Sequence, residues 1–199
     1  TRWRREPVTA QVRATLPVLG GIRGETSTRA KGGSTAVSAG MGGIGIVNNP
    51  RSRRNRRRPG TARRLRQLLG ADGEVLDAST PEELSRAVER FRAAGVDVLG
   101  VNGGDGTVHV VTTAFARAGG GPLPRLLLLR GGGMNTVARA HGIRGSPERI
   151  LWDAVTRRRA GLPLRIVERD LLRVEVDGQP PTFGFLFGTG AVVAFLEAY

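Results

Sequence analysis

The stretch VNGGDGTVHVV, residues 101–111, places three glycines and one carboxylate between two apolar segments. Residues 96–101 have the pattern of a short, mostly apolar strand, and residues 107–118 have the pattern of a helix. Glycines at such a junction permit positive φ angles and let a ligand contact the backbone closely. The free N–H groups and the positive dipole end of a helix N-terminus favour phosphate. The stretch therefore predicts a strand, a glycine turn and a helix start suited to a phosphate group.

Strands and helices alternate on both sides of this stretch. The pattern predicts strands at 43–48, 73–78, 96–101 and 125–129, and helices at 60–69, 81–93, 107–118 and 147–159. Thr80, Pro81 and Glu83 form the sequence signature of a capped helix start. Repeated β-α units predict an α/β fold in which an open, mostly parallel sheet forms the middle of three layers.

Composition changes divide the chain into three parts. Residues 1–42 are rich in Gly, Ser, Thr and Ala and lack periodicity, so we expect a flexible N-terminal extension, with Met41 as the natural start. Residues 43–161 form the predicted α/β domain. Residues 162–199 carry strand patterns at 163–168, 171–177 and 183–187 without helices between them. We expect them to begin a second, β-rich domain that continues past Tyr199.

The net charge is +14, and arginine supplies every basic residue except Lys31. Genomic composition bias towards Ala, Gly and Arg accounts for part of this charge, so the clustering is more informative than the total. Nine arginines lie between Arg51 and Arg66. This cluster indicates either a solvated face or a surface for phosphates and anionic membrane.

Other features narrow the class of protein. The absence of cysteine excludes disulfides and thiolate metal sites. His109 and His141 lack metal-ligand partners at useful spacing, so no metal-ligating residue is predicted. No apolar stretch approaches the roughly 20 residues needed to span a bilayer, and no signal peptide is apparent. We therefore expect a cytoplasmic location, with peripheral contact to the membrane. The oligomeric state stays open, a homodimer included.

Three polar or glycine-rich loops follow predicted strands. They comprise residues 48–52 (NNPRS), 103–107 (GGDGT) and 131–135 (GGGMN). In open α/β sheets, ligands bind at the carboxyl ends of the strands, so these loops are expected to surround one nucleotide. A Walker-type phosphate loop is absent from the sequence. The formal G-x-G-x-x-G match at Gly40, Gly42 and Gly45 precedes its strand and so does not predict a dinucleotide site.

Together, the NP-x-S sequence at residues 49–52, GGDGT and the third loop resemble the catalytic domain of diacylglycerol and sphingosine kinases and their bacterial lipid-kinase relatives. The fold of that family is shared with NAD kinases. The resemblance runs from about Gly43 to Tyr199 and implies that 43–161 is a nucleotide-binding kinase domain. It implies ATP-dependent phosphorylation of a lipid hydroxyl, with ATP and Mg²⁺ as cofactors and a lipid as substrate.

The resemblance also implies roles for individual residues. Asp105 would be catalytic, acting near the reacting phosphate or its Mg²⁺, although a helix-capping role for it stays open. The residues expected to line the nucleotide are Asn49, Ser52, Gly103, Gly104, Gly106, Thr107, Gly132, Gly133 and Asn135. The sequence departs from common family residues at Arg53, Val110 and Gly133.

Two other functions fit parts of the sequence. An NAD kinase shares GGDGT, but the third loop favours the lipid-kinase interpretation. A basic nucleic-acid-binding module would explain the charge, but aromatic residues are only 5% of the chain and no recognition motif occurs. Nucleic acid is therefore not an expected partner, whereas an anionic membrane surface is. We also expect this chain alone to be a poor kinase.

Overall fold

The computed structural model describes residues 13–17, 42–164, 166–176 and 178–187 of the chain. The strands in these ranges are β1 (Arg13–Pro17), β2 (Ile44–Asn48), β3 (Gly73–Asp77), β4 (Val98–Asn102), β5 (Arg125–Leu128), β6 (Ile166–Asp170), β7 (Leu172–Val174) and β8 (Thr182–Gly184). The helices are α1 (Arg53–Arg57), α2 (Thr61–Leu69), α3 (Pro81–Ala93), α4 (Asp105–Arg117), α5 (Thr136–Ala140) and α6 (Pro147–Arg159).

The central sheet contains parallel strands in the order β3-β2-β4-β5. In this register, Ile46 of β2 lies opposite Val75 of β3 and Gly100 of β4. Strands β2 and β4 are buried along their whole length, as expected for inner strands of a sheet that is covered on both faces. The predicted α/β fold with a mostly parallel sheet is confirmed.

Helices cover both faces of this sheet. The chain moves from β2 to β3 towards one edge and then from β3 through β4 to β5 in the opposite direction. Because crossovers between parallel strands are right-handed, α2 lies on one face, and α3 and α4 lie on the other. Helix α6 packs beside α2, and α3 packs beside α4. Within the described ranges, no helix is both long and apolar enough to cross a membrane.

Helix α3 begins where its sequence signature predicts. The Glu83 backbone N–H donates to Thr80 Oγ1 at 3.3 Å, and the Thr80 backbone N–H donates to Glu83 Oε2 at 3.1 Å. This reciprocal pair satisfies two N–H groups at the helix start. The Ser79 backbone N–H also donates to Glu83 Oε2, and this bond is the main cause that lowers the pKa of Glu83. The local sequence therefore fixes the start of the helix.

The residues after Gly161 form short antiparallel pairs, which confirms a β-rich part after the α/β unit. Strands β7 and β8 pair with Arg173 opposite Phe183. Strand β8 packs on α4, where the Phe183 backbone N–H donates to Thr113 Oγ1 at 2.9 Å. The strands are shorter than predicted, and the residues after 187 lie outside the described part.

Strand β1 lies in the segment that the sequence predicts as a flexible extension. It pairs antiparallel with β6, with Leu16 opposite Val167, and it runs beside β5. Residues 13–17 thus form a strand inside this segment, and the flexible extension over 1–42 stays a prediction. So short a strand carries little local signal, and its hydrogen-bond partner is supplied by a segment far away in sequence. Met41 lies outside the described residues.

Candidate functional site

Three loops meet at the carboxyl end of the central sheet. The Asn49 backbone N–H donates to the Asn102 carbonyl at 3.0 Å, and the Arg54 backbone N–H donates to the Gly131 carbonyl at 3.1 Å. The segment after β2 is therefore bonded both to the end of β4 and to the loop after β5. We call residues 49–52, 103–107 and 131–135 the first, second and third loops.

Thr107 joins the first loop to the second. The Asn49 side-chain amide donates to Thr107 Oγ1 at 3.0 Å, and the Ser52 hydroxyl lies 3.4 Å from the same oxygen. Thr107 itself is buried. A Cβ on Gly103 would lie only 2.3 Å from the Thr107 Cβ, so only glycine permits this close approach. Position 103 therefore requires glycine, because the Thr107 side chain packs against its backbone.

The second and third loops touch through glycine backbone. A Cβ on Gly132 would lie 2.3 Å from the Cα of Gly104, and a Cβ on Gly104 would lie 3.3 Å from the Cα of Gly132. Side chains at these positions would push the loops apart. The two glycines therefore keep the loops in contact.

Asn135 fixes the shape of the third loop. Its backbone adopts the left-handed conformation with φ of 51°, which asparagine tolerates better than most residues. Its side-chain oxygen accepts from the Gly132 N–H at 3.0 Å, and its amide donates to the Gly132 carbonyl at 3.1 Å. Asn135 is buried, so it shapes the loop from within.

Asp105, the first residue of α4, reaches across to the third loop. Its Oδ2 accepts from the Thr136 backbone N–H at 2.9 Å, and its Oδ1 accepts from the Val137 backbone N–H at 2.9 Å. The carboxylate therefore caps α5, a helix more than 30 residues further along the chain. Each carboxylate oxygen keeps a further lone pair that can meet a cation or a water.

An open depression of about 440 Å³ lies between the three loops. It is lined by Asn49, Ser52, Arg53, Gly104, Gly106, Thr107, Val110, Gly132 and Gly133. All but two of the residues predicted to line a nucleotide are in this set. The exceptions are Gly103 and Asn135, which are buried and support the loops from behind. The sequence motifs and the depression therefore coincide.

The family follows from comparison with known domains. The sequence matches the diacylglycerol kinase catalytic domain over residues 44–162. The chain belongs to this family. The match begins with β2 and ends just beyond α6, so the kinase-family region contains all three loops and the depression. Among curated proteins, none gives a significant match.

Solved structures similar to this kinase-family chain include three from Bacillus anthracis str. Sterne. A diacylglycerol kinase is 21% identical, with a TM-score of 0.45, and the alignment covers 57% of this chain and 39% of that one. A putative diacylglycerol kinase is 22% identical, with a TM-score of 0.44 and coverages of 58% and 42%. Another is 21% identical, with a TM-score of 0.45 and coverages of 58% and 41%. The chain thus spans less than half the length of these structures.

A buried asparagine network supports the kinase-family loops from below. The Asn102 amide donates to Asn48 Oδ1 at 2.6 Å and to Asn55 Oδ1 at 3.2 Å, and the Asn55 amide donates to the Asn49 carbonyl at 2.8 Å. The sequence analysis counted Asn48 in the first loop without giving it a role, and it selected neither Asn55 nor Asn102 as a site residue. An asparagine at the end of each of two apolar strands was the available signal, but the contact between these asparagines depends on strand order. Asn55 lies on α1, a short helix that the sequence analysis did not predict.

A larger groove of about 690 Å³ adjoins the depression between α3 and α4. Asn49, Thr107 and Val110 line both spaces. The groove has an apolar floor with hydroxyl groups at its edge; its lining includes Val47, Leu84, Val88, Val111, Ser79, Thr80 and Ser85. No motif marks these residues, so the sequence analysis missed the groove.

Neither a cluster of metal-ligating side chains nor a histidine indicates a second functional site in the described part of the chain. Within the described ranges, no group of three or more Asp, Glu or His side chains is placed to hold a metal ion. The His141 Nδ1 lies 2.7 Å from the Val137 carbonyl, and its ring packs edge-on against Phe185. His109 lines the groove and would meet a side chain at Gly184.

The arginine cluster divides between ion pairs and exposed side chains. Arg64 pairs with Glu148 at 2.9 Å, and Arg66 pairs with Asp77 at 2.9 Å. Arg53 lines the depression. Exposed side chains on this part of α1, α2 and their turns belong to Arg51, Arg56, Arg57, Arg58 and Arg63. The cluster is therefore a basic surface beside the candidate site.

Proposed function

We propose that this chain carries the nucleotide-binding part of a lipid kinase that transfers the γ-phosphate of ATP to a lipid hydroxyl. The observation that carries the proposal is the convergence of three loops on one open depression, inside a region that matches a kinase catalytic domain. Family membership supports a kinase. We propose in addition that ATP is the phosphate donor, that Mg²⁺ is the metal cofactor and that a diacylglycerol-like lipid is the acceptor.

The depression suits the phosphates of a nucleotide. Gly104, Gly106 and Gly133 line the depression with backbone that a ligand can approach without side-chain obstruction. Gly104 precedes the first residue of α4 as its N-cap and supplies no side-chain cap, so the first N–H groups of the helix are available to an anion. Phosphoryl transfer depends mainly on positioning and on stabilisation of negative charge, which these groups supply.

The adjoining groove supports the placement of the rest of the nucleotide. A base and ribose need an apolar surface with a few polar groups at its edge. Val47, Leu84 and Val88 provide the apolar surface, and the hydroxyl groups of Ser79 and Thr80 lie at its edge. In this arrangement the triphosphate occupies the depression and the nucleoside occupies the groove.

Asp105 is the proposed acidic group at the reacting phosphates. Magnesium in kinases is usually held by one or two carboxylates together with substrate phosphates and waters. Asp105 is half-exposed and is flanked in sequence by Gly104 and Gly106, which line the depression, while Asp105 itself is not one of the lining residues. When bound, Mg²⁺ would neutralise charge on the transferring phosphate. Asp105 would hold it from the protein side while capping α5.

The lipid acceptor requires access to a membrane. We propose that the exposed arginines of the 51–66 cluster attract the kinase, as a cytoplasmic and peripheral protein, to anionic lipid. Each basic side chain near such a surface contributes about 1 kcal/mol of attraction. The ion pairs of Arg64 and Arg66 reduce their share of this attraction. Vesicle binding should therefore fall steeply with ionic strength.

The test is phosphate transfer from γ-labelled ATP. The product of the complete gene is incubated with Mg²⁺ and a panel of lipids that includes diacylglycerol and sphingosine, with NAD in a parallel reaction. The proposal predicts label in a lipid and none in NAD. The matched control compares Asp105→Ala with Asp153→Ala, which removes a half-buried carboxylate on α6 that pairs with Arg149 at 3.3 Å.

Label in NAD instead of lipid would replace this proposal with the NAD kinase alternative. Equal activity of the Asp105→Ala and parent proteins would remove Asp105 from the reaction. Loss of activity in Asp153→Ala to the same degree would show that the assay reports folding or charge, and the role of Asp105 would be rejected.

A further inference from the structure

Three arginines lie beside the first and third loops and outside the lining of the depression. Arg54 is on α1, Arg130 follows β5, and Arg139 is on α5. Burial lowers the pKa of the Arg130 guanidinium, and the charges of Arg139 and Arg54 lower it further. The charges of Arg54 and Arg139 therefore each act on Arg130, and the Arg54 backbone N–H donates to the carbonyl of Gly131, the residue after Arg130, at 3.1 Å.

The described part of the chain supplies no carboxylate within ion-pair distance of these three side chains. Two half-buried arginines elsewhere in the described part do have such a partner. Arg158 lies 3.0 Å and Arg125 lies 3.8 Å from the carboxylate of Asp97. The cluster of Arg54, Arg130 and Arg139 thus differs from the arginines that serve the fold.

Two of these arginines have unpaired donors. The Nε–H groups of Arg54 and Arg130 are both shielded from solvent and have no hydrogen-bond acceptor. The Arg130 Nη1 donates to the Gly145 carbonyl at 3.2 Å. A shielded donor without an acceptor is costly, and so is a partly buried charge without a counterion. An anion that received these donors would remove both costs.

The backbone of Arg130 supports the same inference. Its φ is 59°, a left-handed conformation that residues with a Cβ adopt at a cost. Such conformations concentrate at functional sites, where the surrounding structure holds them. Here the conformation places a long cationic side chain beside the third loop, where an apolar or smaller residue would satisfy the fold without repulsion.

We propose that Arg54, Arg130 and Arg139 bind a phosphate group at a site outside the depression, beside the third loop. A guanidinium matches two phosphate oxygens with two parallel N–H donors, and a dianionic phosphate neutralises more of a triply charged cluster than a carboxylate does. The phosphate is carried either by a small soluble ester or by a lipid headgroup. This inference stands apart from the kinase proposal because it concerns binding without turnover.

The experiment measures binding to the full chain at constant ionic strength and without nucleotide. The soluble arm uses inorganic phosphate and glycerol 3-phosphate in calorimetry. The lipid arm uses phosphatidylcholine vesicles that contain phosphatidate, compared with phosphatidylserine vesicles of equal surface charge. The variants are Arg130→Gln and Arg139→Gln, and the control is Arg86→Gln, which removes an exposed arginine of α3 that belongs neither to these three arginines nor to the 51–66 cluster.

We expect Arg130→Gln and Arg139→Gln each to weaken binding of the phosphate probe about tenfold, the loss of one charge-assisted hydrogen bond. Arg86→Gln should leave it unchanged. Binding in the soluble arm identifies a small ester as a sufficient ligand. Binding only to phosphatidate vesicles, above phosphatidylserine vesicles, identifies a headgroup. If Arg130→Gln lowers the melting temperature, Arg139→Gln still tests the proposal. The exposed Arg139 side chain makes no hydrogen bond within the described part of the chain, so its replacement removes none.

Three results would overturn the proposal. The first is the absence of binding in both arms. The second is an equal loss in Arg86→Gln, which would reduce the effect to net charge. The third is displacement of the phosphate probe by Mg·ATP in simple competition, which would locate the probe in the depression.

Discussion

Replacing Gly106 with alanine should raise the stability of the domain while it weakens nucleotide binding. Gly106 is the second residue of α4, it lacks a positive φ, and a Cβ built on it has nothing within 4 Å. Alanine at a helical position is more stable than glycine by about 0.5–1 kcal/mol. For a chain of this size, that gain corresponds to a rise of about 1–4 °C in melting temperature.

The same methyl group would obstruct the phosphates. Gly106 lines the depression, so its added Cβ projects into the space where a phosphate would approach the backbone. Loss of one charge-assisted hydrogen bond costs about 1.5–3 kcal/mol, which corresponds to about 10- to 100-fold weaker binding of Mg·ATP. Stability and binding should therefore change in opposite directions, which general damage to the fold cannot produce.

The assay combines thermal unfolding with calorimetric titration of Mg·ATP. The matched control is Gly43→Ala at the opposite end of β2, where the new Cβ would be in ordinary contact with the Asp72 carbonyl at 3.4 Å. It should leave the affinity for Mg·ATP unchanged. Unaltered affinity in Gly106→Ala would refute the placement of phosphates at this position. A lower melting temperature would contradict the statement that a Cβ at residue 106 meets no neighbouring atoms.

Further variants test the supports of the site. Asp105→Ala should lower the free energy of unfolding by about 1–2 kcal/mol in denaturant titration, because α5 loses its cap; no change would show that the cap is dispensable. Gly132→Ala should destabilise the domain much more than Gly104→Ala, since its Cβ would lie 2.3 Å and not 3.3 Å from the facing Cα; equal melting temperatures would contradict the predicted contact. Because the pKa of Glu83 is lowered in the fold, its capping contribution should be complete above the unfolded value near 4.5 and fall on acidification through the lower folded value. A Glu83→Gln variant should therefore lose less stability than the parent over that acidic range; parallel pH profiles would count against the cap.

Local signals explain why much of the fold could be predicted from the sequence. The capping residues Thr80 and Glu83 act within one helical turn, so their sequence pattern is sufficient to place the start of α3. The start of α4 was less exact: the sequence indicated residue 107, whereas the helix begins at Asp105. Glycine and aspartate are weak helix formers in isolation, and the loop contacts decide the first turn.

Long-range contacts explain what the sequence could not provide. Asp105 was selected as a candidate catalytic residue, but its bonds to Thr136 and Val137 depend on how the third loop folds back. The pairing of Asn48 with Asn102 depends on β2 and β4 being neighbours, although β3 lies between them in sequence. These contacts are set by strand order, which no local pattern encodes.

The central claim is that three loops form one phosphate-binding site for a nucleotide. It is tested most directly by a crystal structure of the chain with Mg²⁺ and a non-hydrolysable ATP analogue. The account predicts phosphate oxygens within hydrogen-bond distance of the backbone N–H groups of Gly106 and Gly133, with the base in the groove beside Leu84. A nucleotide bound elsewhere, with the depression filled only by water, would contradict it.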